Sequence, residues 1–163
     1  MKIVEITSTT ITRPADTTAY ASGDLIANST TAGSVTPFVM RVPYGRGLKI
    51  HRVGVSRNDT DVANASFRVH FYKDSPTVTN GDNGAWLSIV AGHQGFVDVV
   101  GTSPAFSANA LAYGVYVNNS VYAPLYVLTD TDRYLYALLE ARAAYTPASA
   151  ETFTLSLIGE AYA

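Results

Sequence analysis

Apolar and polar residues alternate with period two along much of the chain, and the pattern predicts strands. The clearest run is 67–72, where Phe67, Val69 and Phe71 alternate with Arg68, His70 and Tyr72 to give one apolar and one polar face. Residues 152–159 repeat it, with Phe153, Leu155 and Leu157 set against Thr154, Ser156 and Ile158. Short strands are predicted at 38–42, 86–90, 95–100, 115–117 and 125–128, and a strand broken at Gly23-Asp24 over 18–27. In 48–56 the alternation slips near Arg52, which implies a bulge or burial on both faces. The segment 134–143 is rich in the leucine and alanine that favour helix. As a strand it would put Tyr134, Tyr136, Leu138, Glu140 and Arg142 on one side and Leu135, Ala137, Leu139 and Ala141 on the other; its strand neighbours decide for strand.

The N-terminal stretch 2–12 carries Ile3, Val4, Ile6 and Ile11 among threonines and stops at Arg13-Pro14, reading as a strand or an extended arm. Pro43-Tyr44-Gly45-Arg46-Gly47 is a chain reversal. The segment 77–85, with Asn80-Gly81-Asp82-Asn83-Gly84, is a long loop of the kind that meets partners, 102–112 is a surface excursion, and 144–150 is a hairpin-like link between the last two strands. Nine or ten strands with turns between them, no long helix and no repeat predict an all-β, single-domain β-sandwich with jelly-roll topology preferred. Residues 1–13 form its N-terminal strand or arm and 14–163 the sandwich.

Composition sharpens this picture. The chain has 163 residues, no cysteine, 15% charged residues and a formal charge of −2. Disulfides, thiolate metal sites and thiol catalysis are excluded, and no basic excess exists to neutralise a row of phosphates, so nucleic acid is not an expected partner. No run approaches the roughly 20 apolar residues of a membrane span, and Glu5 interrupts what would be the apolar part of a leader, so neither membrane insertion nor export is expected. A charge fraction below the roughly 25% usual for soluble domains leaves surface open to association.

Candidate chemistry is sparse. His51, His70 and His93 do not lie at the spacing of paired metal ligands, and Asp59, Asp61, Asp82, Asp130 and Asp132 lack the remainder of a calcium loop, so the acidic segments read as turns. There is no Gly-x-Ser-x-Gly elbow and no phosphate-binding glycine loop. No enzyme, metal site or cofactor is expected. Tyr113, Tyr116, Tyr122, Tyr126, Tyr134 and Tyr136 crowd one third of the chain; such tyrosines serve subunit interfaces and cores, or stack on sugars.

The stretch from Thr17 to Ala27, Phe71-Tyr72-Lys73-Asp74-Ser75-Pro76-Thr77 followed by Asp82-Asn83-Gly84-Ala85-Trp86, and the segment 135–147 resemble tailed-bacteriophage head decoration, or capsid cement, proteins. The resemblance implies a β-sandwich, often a homotrimer, that binds the major capsid protein on the outer surface of the lattice, assembles in the host cytoplasm and resides in the virion. On that reading the expected partner contacts are Ile3, Val4, Ile6 and Ile11 in the N-terminal segment, which would add to a neighbour's sheet, Asp82, Asn83 and Trp86 in the loop, and Tyr113, Tyr116 and Tyr122. The alternative is a carbohydrate- or receptor-binding sandwich of a phage tail or fibre that uses the tyrosine-rich region.

Overall fold

The computed structural model describes residues 1–58, 65–87, 91–100 and 125–162, and the side chain of Val100 lies outside this description. Among them are ten strands: β1 (Lys2–Thr7), β2 (Ile11–Thr12), β3 (Leu25–Ile26), β4 (Phe38–Arg41), β5 (Gly47–Arg57), β6 (Ser66–Tyr72), β7 (His93–Val100), β8 (Tyr126–Leu128), β9 (Tyr134–Ala141) and β10 (Thr152–Tyr162). They form two antiparallel sheets. Sheet one runs β1-β10-β5-β8 with β2 also on β10; sheet two runs β3-β9-β6-β7 with β4 also on β9. If β3 and β4 count as one position, first pairs with last and the pairs nest inward: β1 with β10, β3/β4 with β9, β5 with β8, β6 with β7. That nesting is the jelly roll.

The inward faces are the ones the alternation marked. Phe67, Val69 and Phe71 of β6, Leu135, Ala137, Leu139 and Ala141 of β9, and Phe153, Leu155 and Leu157 of β10 all lie in one buried cluster between the sheets. Phe67 bridges them, edge-on to Phe153 at 5.8 Å and to Tyr145 at 5.7 Å between ring centroids. Each such pair contributes about 0.5–1.5 kcal/mol beyond its buried area. The slip at Arg52 is a bulge: Ile158 faces Arg52 while the next residue, Gly159, faces Ile50, so His51 is the extra residue of β5.

Three expectations change, and one alternative narrows. The link at 144–150 does not close a hairpin, because β9 and β10 lie in different sheets; the chain crosses the sandwich there, and it crosses again between β4 and β5 at the predicted reversal. Only Leu25–Ile26 of the predicted strand 18–27 pairs as a strand, with Tyr20 making an isolated bridge to Tyr145. Of the predicted strand 86–90 only 86–87 lie within the described residues, and these do not pair as a strand: the Trp86 backbone N–H donates to Gly23 O at 2.6 Å. The N-terminal segment takes the strand form and pairs in register with β10 of its own chain from Lys2 opposite Ala161 to Thr7 opposite Ser156. The predicted strand at 115–117 and the excursion at 102–112 lie outside the described residues.

A second bulge sets up the site described below. Phe71 faces Gly95 and Tyr72 faces His93, so Gln94 is extra on β7. Gly95, at φ +132°, takes a backbone conformation that side chains rarely adopt. The extra residue turns His93 outward beside Tyr72. It also sends the Gln94 amide across to sheet one, where Nε2 donates to Leu128 O at 2.7 Å and Oε1 accepts from Leu128 N at 2.6 Å.

Candidate functional site

The outer faces of the two sheets differ. On sheet two, residues 24–36 and 73–87 fold back over the strands, and a second small core of Leu25, Ala27, Tyr72, Val78 and Leu138 sits there with Trp86 and Tyr136 packed against it. On sheet one, the outward side chains of β10 from Thr152 to Tyr162 are all partly open to solvent. Thr154 and Ser156, registered against Ser56 and Gly54, make one stretch of it small, and the next rows carry Ile158 opposite Arg52 and Glu160 opposite Lys49, the last pair 3.7 Å apart. Its two borders carry large exposed apolar side chains: Ile3 on β1 is 80% exposed, and on β8 Tyr126 and Leu128 are 55% and 52% exposed.

This sorting revises the expected partner contacts. Ile3 is outward and open, whereas Val4 is partly buried against the core, and Ile6 and Ile11 are buried in it, because Val4 and Ile6 of β1 and Ile11 of β2 lie on the side toward the core. Asp82 is also buried. Its Oδ1 accepts from Tyr20 Oη at 2.6 Å and from the Ala27 N–H at 2.8 Å, and its Oδ2 accepts from Arg13 Nη2 at 3.3 Å. Arg13, itself buried, donates from Nε to Tyr20 Oη at 2.9 Å and from Nη2 to Asp16 Oδ1 at 3.0 Å, and from Nη1 to the carbonyl of Asp16. Burial pushes the Asp82 carboxyl up against the opposing pull of Ala27, Tyr20 and Arg13, and it pushes the Tyr20 phenol up strongly. The loop is thus a tie between the N-terminal segment and the sandwich, with Asp82 inside it and residues 2–7 paired to the chain's own β10. Asn83 is half-buried at φ 60°, and Trp86 half-buried against His70. Tyr113, Tyr116 and Tyr122 lie outside the described residues, as do Asp59 and Asp61. Asp130 is the expected turn: Oδ1 accepts from the N–H groups of Asp132 and Tyr134, and Oδ2 from Tyr136 Oη.

Sequence reasoning missed a polar cluster on sheet two. Across β7, β6 and β9 one row reads Asp98, Arg68, Glu140, the next Phe96, His70, Leu138, and the next His93, Tyr72, Tyr136. Arg68 holds Asp98 through two bonds, 2.6 and 2.9 Å, and lies over the Phe96 ring at 3.8 Å. His70 is buried and stacks on Trp86, with centroids 3.8 Å apart and planes at 11°. Its Nε2 lies 2.7 Å from Glu140 Oε2, and Glu140 Oε1 accepts from Arg142 Nη1 at 2.8 Å. A carboxylate accepts, so Nε2 carries the proton and Nδ1 keeps its lone pair, which faces His93 Nε2 at 3.2 Å. Burial depresses the His70 pKa to about 4, outweighing the upward pull of Glu140, with His93 and Arg68 adding to the depression.

The only hint of this cluster in the sequence is the outward register of Arg68, His70 and Tyr72; neither the Gln94 bulge nor the Trp86 stack has a local signature. Among the described residues no group of three or more His, Cys, Asp or Glu is placed to hold a metal ion, and no helix is long and apolar enough to cross a membrane. No protein-family model, curated protein or solved structure matches the chain.

Proposed function

We propose that the chain is a structural protein of a tailed-phage virion, a head decoration protein that docks on the outer surface of the major capsid protein lattice, as a trimer, and strengthens the shell. The observation that supports this reading is the asymmetry of the sandwich. Sheet two is covered in part by its own chain, while sheet one is open and carries exposed Ile3, Tyr126 and Leu128 at its borders, with the Lys49–Glu160 ion pair in the row between Ile3 and Tyr126. Exposed apolar groups of this size on either side of a charged row suit protein docking, where apolar and aromatic anchors carry most of the energy and charges set orientation. Binding only the assembled lattice would stabilise it by mass action, because a ligand selective for one state shifts the equilibrium toward that state.

The test is cosedimentation of the purified protein with empty heads of the phage that encodes it, with free capsid subunits as the control. Pelleting with heads and not with subunits is the expected result. Binding to neither overturns the reading and favours the receptor- or carbohydrate-binding alternative, for which a glycan array is then the assay.

A further inference from the structure

We propose that His70 and His93 form a divalent transition-metal site on the outer face of sheet two. The two rings come from neighbouring strands 23 residues apart in the chain, joined only because the Gln94 bulge turns His93 outward. Their facing atoms, His70 Nδ1 and His93 Nε2, are 3.2 Å apart. Two imidazole nitrogens each about 2.0–2.1 Å from one ion, at angles between octahedral and tetrahedral, are separated by about 2.9–3.4 Å, so the pair already has the spacing of two ligands of a single metal.

The surroundings are those a ligating imidazole uses. Metal-bound histidines donate their other ring N–H to a carboxylate, which fixes the tautomer and raises the basicity of the ligating nitrogen. His70 does this toward Glu140, which is in turn held by Arg142. The face of Trp86 fixes the His70 ring plane. His93 is half-buried, so the junction between the rings can be reached from solvent. Binding moves the His93 proton from Nε2 to Nδ1, which frees the Nε2 lone pair, and a turn of the His93 ring, with His70 held by Trp86 and Glu140, aims both lone pairs at the ion. Imidazole pairs suit zinc and copper(II). With two protein ligands the site is open, and water fills its remaining positions.

The experiment is calorimetric titration of the chelator-stripped full chain with zinc chloride, repeated with copper(II), for the wild type, His93→Gln, His93→Ala and His51→Ala. His93→Gln keeps a donor toward His70 Nδ1 while deleting the metal ligand, so it separates a metal role from a hydrogen-bonding one, and it carries the test should His93→Ala fail to fold. Expected is binding of one ion per chain, weakened at least tenfold by His93→Gln and unchanged by His51→Ala. Copper(II) spectra should show two nitrogen ligands in the wild type. Absence of one-to-one binding up to millimolar metal overturns the site, as does binding that survives His93→Gln or is lost with His51→Ala.

Discussion

At the scale of single residues, the strongest commitments are buried charges and a buried imidazole. Removing the Asp82 carboxylate leaves the Arg13 guanidinium and the Tyr20 hydroxyl without their shared acceptor inside the protein. Asp82→Ala should therefore cost about 3–5 kcal/mol, read by urea unfolding, and the pair Arg13→Met with Asp82→Leu should recover much of that loss. The composition of 80–84 announces a turn, which is what forms, but the sequence offers no sign that Arg13 from 69 residues upstream comes to lie against it. His70 gives a pH dependence whose sign follows from burial. Its folded pKa of about 4 lies below the roughly 6.5 of an unfolded histidine, so between these values the unfolded chain holds the extra proton. Stability from this residue is complete above about pH 6.5, falls by up to about 1.4 kcal/mol per pH unit on acidification, and stops falling below about pH 4. Burial depresses His93 in the same direction. Unfolding free energies measured from pH 7.5 to 4 with a chelator present should show this slope, and His70→Gln should flatten it.

At the scale of elements, alternation identified strand faces well because one face of each strand meets the common core. The segment 134–143, ambiguous on its own and read as a strand from its neighbours, is a strand over Tyr134–Ala141, with Leu135, Ala137, Leu139 and Ala141 turned inward. The slip at Arg52 was legible for the same reason. Connectivity was not: the turn residues at 43–47 and 144–150 reverse the chain equally well within one sheet or between two, and only the nesting of distant strands decides. The β5–β10 bulge offers a check. A Cβ on Gly159 would stand 2.5 Å from the carbonyl oxygen of Lys49 and 3.1 Å from Leu48 Cδ1, and the first of these is backbone that cannot rotate away. Gly159→Ala should destabilise by about 1–3 kcal/mol, seen as a lower urea midpoint with an unchanged slope.

At the scale of the whole molecule, the fold was legible and the proposed docking face only in part. Ile3 was among the expected contacts and is exposed, but Tyr126 and Leu128 matter through their place at the opposite border of the same sheet, which no local pattern reveals. If that face docks on capsid, Ile3→Lys and Leu128→Lys should each weaken head binding about tenfold or more, near 1.4 kcal/mol, in quantitative cosedimentation. Both side chains are more than half exposed, so the melting temperature should barely move. The Gln94 amide meets Leu128 on the side of β8 turned away from β5, where the peptide of one further strand would otherwise pair. The opposite border, at β1, has no such cover among the described residues. A sheet sealed at one rim has polarity: copies that met through the β1 rim of sheet one would close as a two-fold pair, and that contact could not extend into a fibre.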